Sequence, residues 1–142
     1  MKKYDELVRR ALCAMKQAYS PYSGFSVGAA LLSRSGKIYL GCNIENAAYS
    51  PSVCAERVAL FKAVSEGERE FEAIAIVGGS SADAKDECPP CGVCRQVMRE
   101  FCGDDFVILL GKKDGSYRRF TLSGLLPESF SPRQLEKEEA QK

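Results

Sequence analysis

The chain has 142 residues, near the commonest size of a single domain, and its 45% apolar and 27% charged residues suit a globular core rather than a disordered chain. Lys plus Arg (20) nearly balance Asp plus Glu (19), leaving +1, which argues against a polynucleotide binder that must neutralise phosphates. No apolar run is long enough to span a membrane and no signal-type apolar segment follows Met1, so a cytoplasmic protein is expected.

Taken in chain order, Tyr4, Leu7, Val8, Ala11, Leu12 and Met15 recur at helical spacing with charges between them, predicting an amphipathic helix over 4–15. It stops before the turn-forming run Ser20-Pro21-Tyr22-Ser23-Gly24. Residues 26–32 read as a buried strand, Ser35-Gly36 as a hairpin turn and 38–42 as the returning strand. Residues 43–52 are polar and irregular. A second helix is expected over 54–66, with Pro51-Ser52 before it and Gly67 after it. A short strand over 73–77 is expected to close at Gly78-Gly79, followed by a loop over 80–90. A third helix covers 91–101 and stops at Gly103. Strands at 106–110 and 118–122 flank the turn at Asp114-Gly115. One domain is expected over 1–135, with a charged tail over 136–142 and the stretch from Gln134 onward frayed or loosely helical. Apolar strands alternating with helices predict the α/β class, as a three-layer α/β/α sandwich.

Seven cysteines and no histidine are the informative combination. An odd count disfavours a full disulfide framework. The lack of histidine excludes every Ser-His and Cys-His mechanism. Any zinc site must use cysteine or carboxylate ligands.

Pro89-Pro90-Cys91-Gly92-Val93-Cys94 opens the third helix, where the helix N-terminus favours thiolates. Alone, this motif fits a catalytic zinc, a structural zinc knuckle or a redox dithiol. Val53-Cys54-Ala55-Glu56-Arg57 opens the second helix and adds a third cysteine with an acid two residues on. Three thiolates leave the fourth tetrahedral position of zinc open for water, as catalysis requires. Such a centre is net anionic, and Arg57 is expected to hydrogen-bond its sulfurs; the plain alternative is a solvated helix residue. Positions i and i+2 do not share a helix face, so Cys54 must sit at the very start of the helix for Glu56 to reach the ion. The plain reading of Glu56 is an acid favoured in a first helical turn.

Cys54-Ala55-Glu56 followed by Pro90-Cys91-Gly92-Val93-Cys94 resembles the signature of the cytidine deaminase family. Ser20-Pro21-Tyr22-Ser23-Gly24-Phe25 with Val27-Gly28-Ala29-Ala30-Leu31 resembles the family's first loop and strand. Gly41-Cys42-Asn43-Ile44-Glu45-Asn46-Ala47 resembles its sugar-binding strand end, and Leu125-Leu126-Pro127 with Phe130 its C-terminal segment. Cysteine at position 54, where many deaminases have histidine, places the chain with the small homotetrameric nucleoside deaminases.

The resemblance implies a central mixed five-stranded sheet and zinc-dependent hydrolysis of cytidine and deoxycytidine to the uracil nucleosides. It implies Cys54, Cys91 and Cys94 as zinc ligands and Glu56 as the residue that moves the protons. It implies Asn43 and Glu45 at the ribose hydroxyls, Phe25 stacked on the pyrimidine, Ala55 at the base edge, Tyr49 as a further contact and Phe130 reaching a neighbouring subunit's site. The partner implied is a free nucleoside, with no nucleic acid and no membrane. A relative acting on a cytosine-containing antibiotic shares the metal chemistry, and the Asn43–Glu45 pair favours the nucleosides. Taken without the family, Phe25 reads as core, and Asn43 and Glu45 as a turn residue and a surface acid. Cys13, Cys42, Cys88 and Cys102 match no ligand position and read as structural, although Cys88 is close enough in sequence to Cys91 to compete for metal.

Overall fold

A computed structural model describes residues 2–136 of the chain. Helix α1 (Lys3–Met15) is followed by β1 (Phe25–Ser33), β2 (Ile38–Cys42), α2 (Ala55–Ser65), β3 (Phe71–Ser80), α3 (Gly92–Phe101), β4 (Val107–Gly111) and β5 (Tyr117–Thr121). A four-residue helix α4 (Leu122–Leu125) and a 3-10 turn (Pro132–Leu135) complete it.

The strands form one sheet in the order β2-β1-β3-β4-β5. Only β3 and β4 run parallel, joined by the α3 crossover; every other pair is antiparallel, so the sheet is mixed. Side chains alternate between its two faces along each strand. Ala30, Leu32, Ala73, Ala75, Val77, Val107 and Leu109 pack with Leu7, Val8, Ala11 and Met15 of α1. Ala29, Leu31, Ile74, Ile76, Ile108 and Leu110 pack with α2 and α3 through Ala59, Leu60, Ala63 and Met98. The result is the expected three layers, α1 on one side and α2 with α3 on the other.

Two glycines set how closely neighbouring segments approach. A Cβ on Gly41 would lie 2.2 Å from the Ala55 carbonyl oxygen, so the start of α2 rests directly on β2. A Cβ on Gly79 would lie 1.9 Å from the Asp83 oxygen, so the loop leading towards α3 folds back onto β3.

Three expectations are corrected. Strand β3 does not close at Gly78-Gly79 but runs to Ser80, because the long β1 offers Val27, Ser26 and Phe25 as pairing partners. Leu122 is not the last residue of β5 but the first of α4, whose start is capped where Thr121 Oγ1 accepts from the Gly124 N–H at 3.2 Å. Cys13 is exposed on α1, whereas Cys102 is buried. Gln134 lies in the 3-10 turn, fixed by a reciprocal cap with Ser131, and residues 137–142 of the expected tail lie outside the described residues.

Candidate metal centre and active site

The site lies at one end of the sheet, where β1 begins, β2 ends and β3 ends. The register pairs Gly28 with both Cys42 and Val77, which brings these strand ends together. Helices α2 and α3 both start there, each after a loop leaving that edge.

Cys54 and Cys91 occupy equivalent places, as the extended residues immediately before α2 and α3. Cys91 Sγ also accepts from the Cys94 N–H at 3.4 Å, capping α3 and drawing the two sulfurs of the loop to one side. The sulfurs of Cys54, Cys91 and Cys94 lie within 4.8 Å of one another, and Cys54 and Cys91 are 3.8 Å apart. A tetrahedral zinc with Zn–S bonds of about 2.3 Å would hold two sulfurs about 3.8 Å apart. The donor set therefore fits zinc in both chemistry and spacing. Among the described residues, these three form the group able to share an ion. Cys88 is not part of this group, and burial pushes its thiol up to about 11.

Arg57 supports this centre. Its Nη2 donates to Cys54 Sγ at 3.3 Å, while its Nε is buried without a partner. A half-buried guanidinium with a donor to spare suits an anionic sulfur cluster. The Cys54 thiol is held well below its ordinary range, first by hydrogen bonding from Cys94, then by Arg57 and Cys91. Cys94, fully buried and donating to Cys54, is pushed the opposite way.

Because Cys54 precedes the helix rather than joining it, Glu56 in the first turn faces the same space as the sulfurs. Among the described residues it is the one buried charged side chain, 5% exposed. Burial raises its carboxyl to about 7, and the nearby Cys54 charge adds to the rise. A carboxyl balanced near neutrality can both take and give a proton.

A cleft of about 370 Å³ opens beside these groups. Asn43, Glu45, Cys54, Glu56, Arg57 and Cys91 line it, joined by Val27, Ser52, Val53, Cys88 and Pro89, which sequence reasoning had not placed there. The Asn43 side chain already bridges β1: its Oδ1 accepts from the Val27 N–H and its Nδ2 donates to the Phe25 oxygen, both at 2.8 Å. Glu45 accepts from the backbone N–H groups of Tyr22 (2.9 Å) and Ser23 (3.2 Å) and from Ser23 Oγ (2.5 Å). These donors, Ser23 Oγ first, hold the Glu45 carboxyl below its usual range.

The remaining sequence candidates lie outside the cleft lining. Phe25 is at the start of β1, partly exposed, beside a neighbouring depression with Gly78 and Ser80. Ala55 is buried against β2. Tyr49 is exposed, with φ 63° and its ring edge-on to Tyr22 at 6.1 Å. Phe130 is exposed on a separate surface, where its carbonyl accepts from Gln96 Nε2.

Three convergent cysteine sulfurs with a buried carboxylate beside them suit a hydrolytic zinc centre better than a redox dithiol or a closed structural knuckle, since three protein ligands would leave the fourth tetrahedral position for water. The family model for the cytidine and deoxycytidylate deaminase zinc-binding region matches residues 1–110. The chain is 49% identical over 131 residues to a cytidine deaminase of Sporosarcina psychrophila, covering 92% of this chain and 93% of that one. It is 51% identical over 125 residues to a cytidine deaminase of Halalkalibacterium halodurans, covering 88% and 92%. The crystal structure of the cytidine deaminase from Burkholderia pseudomallei superposes with a TM-score of 0.83 at 43% identity, covering 92% of this chain and all of that one. The chain belongs to the cytidine and deoxycytidylate deaminase family.

Proposed function

We propose that the protein hydrolyses the 4-amino group of cytidine and deoxycytidine, giving uridine and deoxyuridine with release of ammonia. The observation that carries this reading is the buried carboxyl of Glu56 beside three sulfurs that can share one ion, at the floor of a cleft the size of a small metabolite. Cys54, Cys91 and Cys94 hold zinc, which when bound supplies a water of lowered pKa and an electrophilic charge. Glu56 takes the proton from the attacking water and hands it to ring N3. It then takes the proton of the new C4 hydroxyl and passes it to the amine, so the C4–N4 bond breaks, ammonia leaves and the C4 carbonyl forms. A carboxyl near 7 is poised for both transfers. Arg57 offsets the sulfur charge.

Asn43 and Glu45 recognise the ribose hydroxyls from the cleft wall, Phe25 covers the pyrimidine face and Ala55 meets the base edge. Tyr49 contributes from the rim. The working unit is a homotetramer in which Phe130 enters a neighbour's cleft. Its exposure and its distance from the cleft lining of its own chain support this, as do exposed Phe61 and Val93. Residues 1–135 act as one domain, followed by a charged tail at 136–142. Among the described residues no helix is long and apolar enough to cross a membrane, and we place the enzyme in the cytoplasm.

The test is to follow the ultraviolet absorbance of cytidine with purified, zinc-loaded protein, with and without a chelator, and to weigh the oligomer by sedimentation. Turnover that the chelator abolishes and zinc restores is expected. A zinc-loaded protein that leaves cytidine and deoxycytidine untouched overturns the reading.

A further inference from the structure

Ser23 lies outside the cleft lining, yet its hydroxyl joins two groups assigned to different parts of the substrate. Its proton goes to Glu45 Oε2 at 2.5 Å, and its oxygen accepts from the Phe25 N–H at 3.0 Å. A serine hydroxyl has one proton and two lone pairs, so both bonds form at once. On the other side of Phe25, its carbonyl oxygen accepts from Asn43 Nδ2. Both peptide groups flanking the Phe25 Cα are therefore held by side chains tied to the sugar-facing pair. Gly24, between Ser23 and Phe25, has φ 68°, its N–H donates to the Ser20 oxygen at 3.0 Å and its carbonyl accepts from the Ser81 N–H at 2.8 Å, so the Ser23 hydroxyl adds the side-chain link from this turn to Glu45.

We propose that Ser23 is a positioning residue that couples ribose recognition by Glu45 to the orientation of the Phe25 ring on the base. This rests on the reading of Glu45 and Phe25 as substrate contacts. When a ribose hydroxyl engages Glu45, the carboxylate keeps its bond to Ser23, and the same hydroxyl holds the Phe25 amide in place. A sugar that draws Glu45 into position thereby sets the stacking surface. A nucleoside without those hydroxyls meets a ring that is held less firmly.

A three-residue cycle on the zinc-loaded enzyme tests this. Ser23→Ala is expected to raise KM for cytidine about tenfold while changing kcat less than about threefold, and Ser23→Thr to return KM to within about twofold of the parent. With Ser23 present, the losses in kcat/KM caused by Glu45→Gln and Phe25→Leu should fail to multiply by about fivefold. In the Ser23→Ala background they should multiply to within about twofold. A role confined to folding would lower melting temperature without moving that coupling. If Ser23→Ala folds poorly, Ser23→Cys keeps the size and weakens both bonds, and the same loss of coupling is expected. Coupling that is equal with and without Ser23, or absent in both, overturns the proposal while leaving the substrate contacts standing. If Glu45→Gln and Phe25→Leu each leave kcat/KM unchanged, the contact reading itself fails and the proposal falls with it.

Discussion

On one face of the sheet, α1 buries Leu7, Val8 and Ala11 completely, and its packing partners are apolar strand residues. On the other face, α2 and α3 bury Ala59, Leu60, Ala63 and Met98 in the same manner, but Cys54 and Cys91 stand just before them and Glu56 and Cys94 in their first turns. Both faces use the same burial to fix a helix on a strand. Only the second ends that burial at a helix start, where unpaired N–H groups favour negative charge. The comparison separates two roles of one architecture: α1 supplies stability, and the packed bodies of α2 and α3 hold their N-termini together around the Cys54, Cys91 and Cys94 sulfurs that could share an ion.

The sharpest way to break this contrast is to remove a ligand. Cys91→Ala takes away one of three thiolates and the sulfur that caps α3, so zinc should fall well below one per chain by elemental analysis, and deaminase turnover should drop to background. Glu56→Gln comes next. It keeps the shape and removes the carboxyl proposed to move the protons, so kcat should fall by on the order of 10³-fold while zinc content stays near that of the parent. A Glu56→Gln enzyme that turns over normally would place the proton transfers elsewhere. On the α1 face the expected outcome is reversed. Leu7→Ala should cost about 2–5 kcal/mol of unfolding free energy, read by denaturant melts, with kcat and KM of the folded enzyme within about twofold. A large kinetic effect there would show that the two faces are not independent.

The parts legible in the sequence were those with local signatures. Cys54 and Cys91 open the helices predicted over 54–66 and 91–101, and the i, i+2 argument placed Cys54 at the very start of its helix; in the structure each is the residue immediately before the helix. Helix α1 follows from apolar periodicity, α2 from Pro51-Ser52 before it and Gly67 after it, and the strands from short apolar runs between turn signals. The length of β3 did not, because a Gly-Gly pair stays in a strand only when a long neighbour offers partners, and that neighbour is some fifty residues away in β1. The α4 turn is too short for periodicity to register, and only the Thr121 cap marks its start. The bonds from Glu45 to Ser23 and from Asn43 to Val27 join segments 22 and 16 residues apart. Hydrogen bonds of that range leave no pattern in the chain, so the clamping of the cleft wall, and the presence of Val27 and Cys88 in it, emerge only from the fold.

The smallest expected effect tests how far the α2 start is tuned beyond its ligand. Arg57 donates to Cys54 Sγ and keeps a buried Nε with no other partner, so its guanidinium is committed to the sulfur cluster. Removing it in Arg57→Ala leaves the thiolates in place but strips the cation that offsets their charge. Zinc affinity or kcat should fall about 10- to 100-fold, measured by competition with a chromogenic chelator and by turnover. Arg57→Lys separates the two contributions. Lysine restores the charge as a point on a flexible stem but not the planar fork that meets sulfur and protein together. If charge alone matters, Arg57→Lys should match the parent; if the directed N–H to sulfur matters, it should fall between the parent and Arg57→Ala. A solvated arginine would give no difference among the three, and the helix start would then hold its metal by the thiolates and the backbone alone.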